Sequence, residues 1–171
     1  MTEELTATGV ASRVVAQPGK FIVGVPPFVF VMPKGWVLDV APGALAVLRL
    51  GQQVDGFWVN ALLSHDKVAR GVDFKTAARV TWAKLQRSGV ENLTDQGERM
   101  MRFGNLAVYV RGCDFETKGR KLAQMHAIWF TPVTEGGKVV DMFQLVLTAP
   151  EGIMPAAAKS ILETISTFRF T

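Results

Sequence analysis

The stretch from Lys138 to Thr148 is apolar on both of its alternating sets of positions. Phe143, Leu145 and Leu147 occupy one set; Val140, Met142 and Val146 occupy the other. Successive side chains of a strand point to opposite faces, so a strand apolar on both is covered on both. Lys121 to Val133 precedes it, and Thr134-Glu135-Gly136-Gly137 between them reads as a hairpin turn. An antiparallel sheet buried on two sides is therefore the frame into which the rest of the chain must fit.

Further strands are expected at Phe28–Met32, Trp36–Val40, Ala44–Leu50, Phe57–His65, Asn92–Phe103 and Asn105–Phe115. The Asn92–Phe103 strand should be irregular at Asp95-Gln96-Gly97. In the Asn105–Phe115 strand, Leu106, Val108 and Val110 have one parity and Cys113 and Phe115 the other, so a bulge near Gly112 would unite them on one face.

Two helices stand out. Asp73 is a good N-cap, because its carboxylate accepts from the free amides of a first turn. Phe74, Ala77, Ala78, Thr81, Trp82 and Leu85 then share one arc, and Ser88-Gly89 ends the segment. The second helix, about 155–167, carries Ala158, Ile161, Leu162, Ile165 and Phe168 as its stripe. We expect both helices side by side on one face, with something else, such as the N-terminal arm, on the other. The fold class is α+β: residues 1–24 form an arm and residues 25–171 a single domain. Trp36, Trp82, Trp129, Leu145, Ile161 and Ile165 are the expected core.

A chain of 171 residues can bury such a core without a disulfide, and its one cysteine, Cys113, could form none within the chain. Its thiol reads as a small buried hydrophobe. The first apolar stretch, Phe21 to Met32, is broken by Pro26-Pro27 and is too short to span a bilayer. Met1-Thr2-Glu3-Glu4 is acidic where a secretory leader would be basic, so the sequence reads as cytoplasmic, with an envelope location left open for a trimmed chain. The net charge of +4 lies wholly in residues 61–171, with fifteen basic and eleven acidic side chains. That excess fits a solvated surface and does not single out nucleic acid.

No reaction centre emerges. Ser64-His65-Asp66 cannot form a triad, because strand neighbours point apart. His65 and His126 are the only histidines and lack metal-ligand spacing, so no metal or other cofactor is expected. Asp114 and Glu116 share a strand face beside the Lys118–Lys121 turn and read as a surface strand end. Two groups of residues suit partner binding. Lys75 and Arg79 stand one turn apart on the first helix, with Trp82 a turn beyond, and an aromatic beside cations is common at the energetic centre of interfaces. Lys118, Arg120 and Lys121 crowd a hairpin tip. The competing explanations are a solvated helix face and a tip kept soluble by charge.

The order of these features resembles the Mog/PsbP-like superfamily. Phe28-x-Phe30-x-x-Pro33-x-Gly35-Trp36 resembles its opening strand and turn, and Phe57 to Ser64 its apolar strand with Asn60 before the first helix. Phe143 to Pro150, followed by a helix ending Ile165-Ser166-Thr167-Phe168-Arg169-Phe170, resembles its close. Within the superfamily the chain is most similar to the actinobacterial LpqN/LpqT lipoproteins, although their signal and lipidated cysteine have no counterpart here. The resemblance implies an antiparallel sheet in an α/β/α sandwich. It carries over no catalytic residue, since members include photosystem extrinsic subunits, a Ran-binding protein and effector-associated secretion chaperones.

The expected function is a non-enzymatic binding or adaptor protein, including a secretion- or envelope-associated chaperone, whose partner is another protein of acidic character. A carrier of a small apolar ligand beside the sheet is the alternative, and an enzyme of unrecognised type the third. Homo-oligomers are compatible with all three.

Overall fold

The computed structural model describes residues 13–17 and 24–171. Most of the expected arm therefore lies outside the described residues. Its described part, Val14–Gln17, is a strand, β1. The elements then follow as β2 (Phe28–Val31), β3 (Trp36–Asp39), β4 (Ala46–Leu50), β5 (Asn60–Ala69), α1 (Phe74–Arg87) and β6 (Glu91–Phe103). After them come β7 (Leu106–Thr117), β8 (Arg120–Phe130), β9 (Val139–Pro150), α2 (Met154–Ser166) and β10 (Arg169–Phe170).

Seven strands form one antiparallel sheet in the order β3-β4-β5-β9-β8-β7-β6, and a second sheet has the order β1-β2-β10. The α+β class and the antiparallel sheet agree with the sequence reading. Asp73 caps α1 by accepting from the Thr76 amide at 2.7 Å, and Gly89 takes φ +80° just past the helix.

The helices do not lie side by side. Val108, Val110, Ala127, Trp129, Phe143 and Leu145 form one core with Ile161 and Ile165 of α2. Tyr109 and Ile128, of the opposite parity, pack with Ala77 and Ala78 of α1. Each helix thus covers its own face, and the small sheet joins α2 through Phe28, Phe30 and Phe168. Helix periodicity shows that a stripe is apolar but not which sheet face it meets. Topology settles that for α1: β5 and β6 run in the same direction across three intervening strands, so α1 is a crossover whose handedness fixes its side.

The bulge expected near Gly112 is absent. The β7–β8 register runs unbroken from Tyr109↔Ile128 to Thr117↔Arg120. The parity change along β7 instead marks a change in which face is covered. Cys113 and Phe115 are buried under Trp82 and Leu85 of α1. The irregularity lies on the partner strand, where β6 shifts register between Glu91 and Thr94 and again between Asp95 and Glu98. Gly112 faces that second shift, and a Cβ there would meet Gln96 Cβ at 3.4 Å. Of the expected core, Trp36, Trp129, Leu145, Ile161 and Ile165 are buried, while Trp82 is only half-buried.

Candidate functional site

A groove between α2 and β6

Helix α2 seats Ala157, Ile161 and Ile165 on the sheet. Its flank, Met154, Ala158 and Leu162, stays partly open toward β6. Strand β6 turns Arg99, Met101 and Phe103 toward the same side, because they pair with Val110, Val108 and Leu106 of the α2 core. Between these walls run three open clefts. One of about 370 Å³ is lined by Gly112, Met125 and Met154 among others. The next, about 520 Å³, shares Arg99 and Ala158 with it and adds Phe103 and Leu162. The last, about 720 Å³, shares Phe103 and continues to Leu106, Phe130, Phe168 and Phe170. Shared walls make them one groove. From Gln96 to Phe103 it follows eight residues of strand, roughly 25 Å.

The groove is apolar along its walls and charged at its rim. Arg99, Lys159 and Arg169 stand there with Glu163. Arg169 uses Nη1 to donate to the carbonyls of Ser166 and Phe168, at 2.8 and 2.7 Å. By contrast, the void inside the core, lined by Phe30, Leu48, Leu63, Trp129 and Ile165, measures about 10 Å³. That is about the room of one water, far below the several hundred Å³ a small ligand needs.

The sequence-derived candidates are not brought together. Lys75 and Arg79 are exposed near the start of α1, whose Phe74 ring lies 4.9 Å from that of Phe130. Lys118, Arg120 and Lys121 sit at the opposite end of the sheet, where β7 turns into β8. Trp82 is capped by Arg111, whose guanidinium lies 3.9 Å from the ring centroid and binds Asp95 at 2.5 Å. Arg120 donates to the Asp55 carbonyl at 2.7 Å, while Lys118 turns the chain at φ +50°. No local motif marks the groove residues as a site; in the sequence they are ordinary stripe and strand positions. Its signal was the width of the α2 stripe, since Ala158 and Leu162 broaden it beyond what the sheet covers.

The titratable groups occupy structural positions. His65 Nε2 lies 2.7 Å from Asp141 Oδ1, and Ser64 donates instead to the Gln144 carbonyl, so the three-residue run makes no relay. Burial would raise Asp141, but hydrogen bonds from His65 and Lys67 outweigh it and hold the carboxyl below its ordinary range. His126 is buried, and burial together with the Arg111 charge lowers it to about 4. Burial pushes the Cys113 thiol up to about 11, which leaves little thiolate at neutral pH. Among the described residues no three His, Cys, Asp or Glu side chains cluster as metal ligands. Among the same residues no helix is long and apolar enough to cross a membrane.

Comparison with known proteins

No family model and no curated protein matches the sequence. Solved structures do match. LpqN of Mycobacterium tuberculosis, described as involved in cell envelope biogenesis, superposes with a TM-score of 0.68 at 14% identity, over 97% of this chain and 96% of its own. Cyanobacterial PsbP from Synechocystis sp. PCC 6803 gives 0.59 at 12% identity, over 93% of both chains. A protein of unknown function from Pseudomonas aeruginosa gives 0.55 at 9% identity, over 91% of this chain and 95% of that one. The fold is Mog/PsbP-like and similar to that of LpqN. At these identities the likeness concerns the fold and leaves function to the site.

Proposed function

We propose that this chain is a non-enzymatic binding protein that receives an apolar segment of a partner protein in the groove between α2 and β6. The continuity of the three clefts carries this reading, because an open channel walled by a helix and a strand suits a chain segment. The similarity to LpqN supports an adaptor role in the cell envelope. The basic side of α1, with Lys75 and Arg79, is a second contact surface and would speed encounter with an acidic partner.

The carrier alternative rests on one observation: the end cleft at Phe130 and Phe170 has the volume of a small-molecule site, about 720 Å³. One experiment separates the two. A photo-crosslinking residue replaces Leu162 in the groove or Val80 on the exposed side of α1. Crosslinking to protein at position 162 that Phe103→Asp abolishes is the expected result. Equal crosslinking at position 80, or none at 162, overturns the groove. Capture of a small apolar molecule at 162 without protein replaces the partner reading by the carrier. The variant Lys75→Glu/Arg79→Glu, checked for unchanged melting, then reports what the basic face adds.

A further inference from the structure

Strand β6 is the long open edge of the main sheet; the opposite edge, β3, is four residues long. Two register shifts disrupt the first half of β6. From Glu98↔Arg111 to Phe103↔Leu106 the pairing with β7 is unbroken, so this segment presents a regular row of outward backbone groups. Such an edge is a template for another strand unless it is blunted. No proline or lysine interrupts it, and Met100 at its middle is 54% exposed.

The geometry points to a second copy of this chain as the strand that pairs there, antiparallel and edge to edge. A two-fold axis perpendicular to the sheet puts like faces on the same side, so it must pass where a residue opposes itself. Centred on Glu98, Arg99 or Arg102, the pairing sets identical charges directly against each other. Centred on Met101, it sets Met100 against Arg102 and joins no opposite charges. Centred on Met100, it places Glu98 opposite Arg102 of the second copy, twice over, with methionine against methionine on the axis. Opposite charges directly across a strand pair stabilise it, and like charges oppose it. The partner is also chemically prepared: Arg102 forms no side-chain hydrogen bond or ion pair among the described residues. Glu98 accepts one bond, from the Tyr109 hydroxyl, and a carboxylate has capacity for more. The result is a continuous sheet of fourteen strands, twice the seven of one copy.

The pairing is tested by sedimentation equilibrium of the full chain over a concentration series, with circular dichroism as the check of folding. The wild type should dimerise. Arg102→Glu and Glu98→Arg should each weaken self-association by at least about tenfold, since each sets like charges across the seam. Mixed together they should form a heterodimer, because arginines at 98 and 102 of one chain then face glutamates of the other. The double exchange Glu98→Arg/Arg102→Glu should restore the homodimer. Should Glu98→Arg lose the fold with its tyrosine partner, Arg102→Glu and Met100→Lys carry the test, as neither side chain forms a hydrogen bond or ion pair among the described residues. A wild type monomeric throughout the series, or an Arg102→Glu variant as dimeric as wild type, overturns the pairing. So does a mixture of two folded single variants that stays monomeric. Neither Arg102 nor Met100 lines the groove, so loss of the dimer in Arg102→Glu or Met100→Lys is distinguishable from loss of groove binding.

Discussion

Replacing Ile165 by Ala tests whether α2 is the element that closes the core on its face. Ile165 is 1% exposed and borders the small void shared with Phe30, Leu48, Leu63 and Trp129. Three carbons leave, worth about 2.4 kcal/mol at roughly 0.8 kcal/mol each. The site cannot collapse freely, because its floor is a sheet fixed by strand pairing on both sides. A residual cavity of about 40–80 Å³ then adds about 1–2 kcal/mol. The expected loss is about 3.5–4.5 kcal/mol, which lowers the melting temperature of a chain this size by roughly 7–18 °C. Leu162→Ala, three residues earlier on the groove flank, removes a partly exposed side chain and should cost under about 1.5 kcal/mol. Urea melts of both variants with wild-type slopes measure the difference. An Ile165→Ala loss below about half a kcal/mol, well under the usual range, would refute the placement of the core. Equal losses at both positions would refute the groove as an open surface.

Acid should destabilise the protein through His126. Its Nε2–H donates to Gln124 Oε1 at 2.8 Å while the Gln124 amide donates to Thr148, a bond either charge state can make, so burial and the Arg111 charge are what disfavour protonation. With its pKa lowered by burial to about 4, the folded state refuses a proton that the unfolded chain takes up near 6.5. This contribution is full above pH ~6.5 and fades as pH falls toward ~4, by about 3 kcal/mol in all. Chemical melts between those values should show it, and His126→Gln should flatten the slope. Arg111→Ala removes both the stack on Trp82 and the Asp95 ion pair and should cost about 1–3 kcal/mol. Arg111→Lys should recover less than half of that loss in thermal melts, since a lysine cannot reproduce the planar stack.

What could be read from the sequence divides along one physical line. Features set by neighbours in the chain were legible. The double parity of Val140 to Leu147 announced a sheet covered twice, Asp73 announced a cap, and Asp95-Gln96-Gly97 announced the irregular stretch of β6. Features set by strand order were not. The change from Val110 to Cys113 on β7 looks like a bulge when the chain is read alone. With the order β8-β7-β6 in hand, it records where α1 takes over the cover on the other face. The same order hides the groove, whose walls come from residues 99–103 and 154–162, and the edge, whose charge pattern matters only once β6 is known to be last in the sheet. Glu98 and Arg102 are unremarkable four residues apart in a sequence. They face the same side of an edge strand, equidistant from Met100, and that placement makes the edge complementary to itself.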